Sequence, residues 1–153
     1  MRLHILNESA RIALAKTAVA AGTTDVNGDG IDMQLDGGYD SVAFLCLVGT
    51  LTLTQVTSLK AQASDDNGSS DSWGDIEGSD SGNLADTDDD KLLVLDVVHP
   101  IKRWIRPVLL RGTANAVLNA IIAIQYNGRT PPAVNSADVV KSLNLVDAIE
   151  GTP

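Results

Sequence analysis

The stretch from residue 92 to residue 126, LLVLDVVHPIKRWIRPVLLRGTANAVLNAIIAIQY, constrains the fold more than any other part of the chain. It consists of three apolar runs separated by two breaks. The first run, Leu92 to Val98, is closed by His99-Pro100. Proline has no N–H to give to a ladder and pushes the preceding residue out of the helical region, so Pro100 marks a boundary. The second run, residues 103–111, contains Pro107, which argues for an edge strand or a bulge. Gly112-Thr113-Ala114-Asn115 has the composition of a turn. The third run, residues 118–126, is rich in β-branched side chains. Three consecutive strands are therefore predicted.

The rest of the chain agrees with a β protein. Residues 41–48 are almost continuously apolar, as expected of a strand covered on both faces. Residues 57–63 alternate, with Leu59, Ala61 and Ala63 on one face and Ser58, Lys60 and Gln62 on the other. Trp73 to Ile76 is the only strand expected in the Asp-, Ser- and Gly-rich segment 64–90. Residues 1–21 contain good helix formers but are read as extended, either an arm or a first strand. Pro131-Pro132 ends the strand pattern, and too little chain follows for a second core. The expectation is all-β, with about seven or eight strands forming a sandwich or barrel. It divides as an N-terminal arm or first strand at 1–21, a β-sandwich at 22–126 and a C-terminal tail at 127–153. With aromatics at only 3% the core must be aliphatic, apart from anchors such as Phe44. Phe44, Leu45, Leu47, Leu93, Leu95, Ile122 and Ile124 are expected in one cluster.

Charge excludes several classes of function. Twenty acidic against 11 basic residues give a net charge of −9. Phosphate contacts need clustered Lys and Arg, so neither direct nucleic-acid binding nor an anionic membrane surface is expected. No apolar run reaches the roughly 18–20 residues of a membrane span. Glu8, Arg11 and Lys16 interrupt any export-signal centre, so the chain is expected to be made and kept in the cytoplasm. Cys46 lies in an apolar strand and is read as a buried, inert thiol.

The motifs carry little chemistry. Asp25, Asn27, Asp29 and Gly30 stand at positions 1, 3, 5 and 6 of an EF-hand-like loop, with Asp36 at position 12. The pattern departs from a calcium loop at Asp32, where an apolar residue belongs, and Asp36 is shorter than the usual Glu. Asn-Gly and Asp-Gly turns explain the segment better, so no cofactor is expected and calcium remains the only metal with any signal. The crowded carboxylates of 64–90 lack the aromatics of a sugar cleft. His4 and His99 stand without a nucleophile elbow, and there is no phosphate loop, dinucleotide fingerprint or Cys/His zinc pattern. No enzymatic activity is expected. Lys102, Arg103, Arg106 and Arg111, with Trp104 among them, are the main basic cluster and fit a protein–protein interface, because Arg and Trp are enriched there.

Several segments carry a resemblance. Asp96-Val97-Val98-His99-Pro100, Lys102 to Pro107, Arg111 to Val117 and Ala123 to Tyr126, with Gly38 to Phe44 and Leu59 to Asp65, resemble small accessory proteins of tailed bacteriophages. Those proteins decorate or cement the head. The likeness spans roughly residues 10–126. It implies a jelly-roll-like sandwich and a trimer bound to the major capsid protein on the outer surface of the virion. The rival expectation is a calcium- or glycan-binding surface module built on the Asp25 loop and Trp73.

Overall fold

The computed structural model describes residues 6–144. A helical turn, α1 (Leu6–Ser9), precedes β1 (Arg11–Lys16), β2 (Val19–Gly22), β3 (Val26–Asn27) and β4 (Ile31–Asp32). A 3-10 turn at Leu35–Gly37 leads into β5 (Tyr39–Leu51), β6 (Val56–Ser64) and the two-residue β7 (Gly74–Asp75). The chain closes with β8 (Leu92–Val98), β9 (Trp104–Gly112) and β10 (Ala116–Gly128). Two antiparallel sheets pack face to face as an all-β sandwich. Sheet A runs β1-β10-β5-β8, with β2 also on β10, and sheet B runs β3-β9-β6-β7, with β4 also on β9. The long strands β5, β6, β8, β9 and β10 alternate between the two sheets.

The N-terminal segment is extended from Arg11 on, but residues 6–9 form a helical turn that the extended reading did not foresee. β1 and β2 both pair with β10, so this segment is part of sheet A. His4 lies outside the described residues, as do residues 145–153 of the tail. Beyond β10 the described chain has no strand. It runs instead along the outer edge of β1, where Ser136 N–H donates to Ile12 O at 2.9 Å and Ile12 N–H donates to Asn135 Oδ1 at 2.9 Å.

Pro107 does not mark an edge. It sits in β9, which lies between β6 and the pair β3 and β4. The neighbouring strand, not β9, is interrupted there: β3 ends at Asn27 and β4 starts at Ile31. Gly28 N–H donates to Pro107 O at 2.8 Å, so the missing proline N–H faces the gap between β3 and β4. A Cβ on Gly28 would come 2.6 Å from the proline ring, which is why the close approach needs glycine.

The core lies between the sheets. Val42, Phe44, Cys46 and Val48 of β5 meet Leu118, Ile121 and Ala123 of β10, Leu59 and Ala61 of β6, and Ile105 and Leu109 of β9. Of the seven core residues expected, Phe44 and Leu93 are buried and Leu95 packs against the cluster. Leu45, Leu47 and Ile124 point to the opposite face of sheet A and are only half-buried, and Ile122 is 38% exposed. The physical reason is periodicity. Strand faces alternate with period two, and a run apolar at every position does not say which parity faces the core.

Candidate functional site

The outer faces of the two sheets differ in kind. On sheet B the outer face carries polar side chains tied together within the chain, beside Trp104, Val108 and Leu110 of β9. Arg106, Gln62 and Asp75 stand in one cross-strand row. Arg106 donates to Gln62 Oε1 at 2.6 Å, Gln62 Nε2 donates to Asp75 Oδ1 at 2.8 Å, and Lys60 pairs with Asp75 at 2.8 Å. The Arg106 guanidinium covers the Trp73 ring at 4.5 Å from its centroid. Arg103 grips Asp32 with two bonds, at 2.8 and 2.6 Å, and lies 5.5 Å from the Trp104 ring. That bidentate bond holds the Asp32 carboxyl below the usual range despite partial burial. Lys102 is bonded to Asp71, which raises its pKa, and Asp65 lies 3.8 Å away.

The basic stretch thus finds its complementary charge in its own chain. Arg111 departs furthest from the expected interface role. It is buried, and its guanidinium donates to the carbonyls of Thr24, Ala20 and Ala116 at 2.7, 2.9 and 2.8 Å. Lys102, Arg103, Trp104 and Arg106 keep part of their surface exposed. At the same end of the sandwich a cleft of about 460 Å³ is lined by Tyr39, Asp40, His99, Lys102 and Arg129, with Ile101 wholly exposed at its rim. Arg129 is already paired with Asp40 at 3.0 Å.

The EF-hand-like segment is folded into sheet B. Asp25 Oδ1 accepts the Arg111 N–H at 3.0 Å, Asn27 ends β3, and Asp29 N–H donates to Ala15 O at 2.7 Å. Asp36 sits apart, in the 3-10 turn. Among the described residues no three His, Cys, Asp or Glu gather as a metal-holding group. The acidic segment 64–90 guards a strand edge. Leu59 N–H and Ala61 N–H donate to the hydroxyls of Ser81 and Ser79, Leu84 N–H donates to Thr57 O, and Asp86 and Asp89 accept from Thr54 and Leu51 N–H. Two serine hydroxyls and the Leu84 backbone here take the place of a partner strand along β6, and the two aspartates hold the end of β5 and the turn that follows it.

The outer face of sheet A is apolar. Register places Leu14, Ile122, Leu45 and Val94 in one row across all four strands. Beside it run Ile12, Ile124, Ala43 and Asp96, and Ala120, Leu47 and Leu92 follow on the other side. Exposure grows toward β8, where Leu92, Val94 and Val98 are 59%, 64% and 56% exposed. The one charge within β8, Asp96, accepts the Tyr126 hydroxyl at 2.7 Å, a bond that raises the Tyr126 pKa. A contiguous row of exposed aliphatic side chains such as this one marks a contact surface for another molecule.

β8 also leaves its backbone open. His99 N–H donates to Asp40 O and Lys91 O accepts from Val48 N–H, so the odd-numbered residues bond to β5. The N–H and C=O of Leu92, Val94, Asp96 and Val98 therefore point away from the sheet, and among the described residues nothing pairs with them. The signal for this face lay in β5 and β8, whose runs are apolar at both parities. Such runs need covers on both sides, and the described residues supply only one. Among the described residues no helix is long and apolar enough to cross a membrane. No family model matches the chain, and no curated protein matches its sequence.

Proposed function

We propose that this chain is a structural virion protein that decorates the head of a tailed bacteriophage and stabilises it by binding the assembled major capsid protein. One observation supports the reading above the others: the outer face of sheet A is aliphatic in every strand from β1 to β8, while the outer face of sheet B carries charged and amide side chains that are paired within the chain. A face of that kind belongs against another protein. The mechanism is linkage. A protein that binds only the assembled lattice adds its binding free energy to the stability of the shell, and no chemistry is asked of it. Its place of action is the outer capsid surface. The glycan-binding rival is disfavoured because the Trp73 ring that would stack on a sugar already carries Arg106.

The experiment adds purified chain to expanded heads that lack it and reads occupancy by co-sedimentation and electron microscopy. The wild-type chain is expected to saturate the heads. Leu45→Lys with Ile122→Lys, both on the outer face, is expected to keep the fold and lose at least tenfold in occupancy. Heads that stay bare with the wild-type chain, or fill equally with the double variant, refute the reading.

A further inference from the structure

We infer that the free edge of β8 pairs with β8 of a second copy of this chain, antiparallel about a two-fold axis through Leu95. The first observation is the parity of the edge. Leu92, Val94, Asp96 and Val98 carry N–H and C=O groups that no other described residue pairs with, and the same residues carry the exposed side chains. Natural sheets blunt a free edge with charge, proline, a bulge or a covering loop. This chain does so at its other long edges, with 76–84 along β6 and 133–136 along β1. β8 has no bulge against β5 and no proline, and its one charge is engaged by Tyr126.

The second observation is self-complementarity. A two-fold axis through Leu95 sets Leu92 opposite Val98 of the partner subunit and Val94 opposite Asp96 of the partner subunit. Both pairs fall at hydrogen-bonding positions of an antiparallel ladder, so each open N–H meets an open C=O. Aspartate does not face aspartate, which matters for a chain of net charge −9. On the outer face, Leu92 and Val98 cover one another, the direct cross-strand contact that stabilises a sheet. An extended strand from an unrelated protein could use the same backbone groups, but a second copy brings a matching side-chain pattern in this register as well. An isologous contact closes on itself as a dimer, not as the trimer the resemblance implies. It would also join two apolar faces into one sheet spanning both copies.

The test measures the mass of the full chain by light scattering and sedimentation. The expected result is a dimer, twice 16.0 kDa. Val94→Lys keeps every backbone group but places a charge at the seam, and Val94→Pro removes an N–H that the chain itself does not use. Both are expected to run as folded monomers, with unchanged circular dichroism. Leu95→Cys is expected to cross-link between copies on mild oxidation, because residues facing each other at the non-hydrogen-bonded position lie within disulfide reach. A wild-type monomer or trimer, a dimer that survives both Val94 variants, or the absence of the Leu95→Cys cross-link overturns the pairing. Capsid occupancy is read separately. A monomer that still decorates heads defeats the pairing and spares the proposed function, and a dimer that binds no head does the reverse.

Discussion

At the scale of single residues, the fold separates cations that share a sequence neighbourhood. Arg111 and Arg103 lie in one stretch, yet one holds the interior and the other the surface. Arg111→Ala strips three backbone carbonyls of their donor and is expected to cost about 3 kcal/mol or more in urea unfolding. Arg103→Ala breaks an ion pair that is 44% exposed on the arginine side, and its effect is expected to be small. The Asp32 carboxyl, depressed first by the Arg103 bond, gives this pair a pH signature. Its folded pKa lies below its unfolded value, so its contribution is complete above the unfolded pKa of about 4 and is lost as pH falls through the folded value. Urea midpoints measured from pH 5 down to pH 2 should fall less for Asp32→Asn than for the wild-type chain. Burial pushes the Cys46 thiol up to about 12, so alkylation at pH 8 should proceed only as fast as the protein opens.

At the scale of elements, β10 gives the sharpest comparison. Ile121 is fully buried in the core and Ile122, its neighbour, is 38% exposed on the outer face. Ile121→Ala is expected to cost about 2–5 kcal/mol, whereas Ile122→Ala should cost well under half of that in the isolated chain. Equal losses in thermal unfolding would show that the parity of β10 is misassigned. The gap between β3 and β4 offers a second test. Gly28→Ala drives a methyl into the Pro107 ring and is expected to cost about 1–3 kcal/mol. A Gly28→Ala variant that melts with the wild type would remove the steric account of why this sheet tolerates a proline in an interior strand.

At the scale of the whole molecule, the sandwich has a wet side and a dry side. Its acidic loops fold back on strand edges rather than reaching outward, and on the outer face of sheet A the aliphatic exposure is concentrated toward β8. If two copies share that edge, folding and association are linked, and the thermal midpoint must rise with chain concentration. A midpoint that rises for the wild-type chain and stays flat for Val94→Lys is the expected pattern, read by calorimetry over a hundredfold range of concentration.

The sequence alone determined the class of fold and the position of most strands. Local rules sufficed for this. Apolar β-branched runs bounded by Gly, Pro and Asn placed β5, β6, β8, β9 and β10, with β8 at the same residues that were read, Leu92 to Val98. Cys46 read as buried from its apolar run and is buried, but the run alone does not distinguish its parity from that of Leu45 and Leu47. Tertiary structure decided what depends on which side of a strand meets which neighbour. Leu45, Leu47 and Ile122 read as core because their runs are apolar at both parities, and only the opposing sheet selects one parity. Pro107 read as an edge because a proline lacks its N–H, and only the break between β3 and β4 shows how an interior strand accommodates that. The intrachain partners of the basic cluster were not legible because they lie far away in sequence: Asp32, Asp71 and Gln62 reach it through the pairing of β4 and β6 with β9 and through the 64–90 segment. Charge composition is visible in a sequence, but which charges meet is a property of the folded chain.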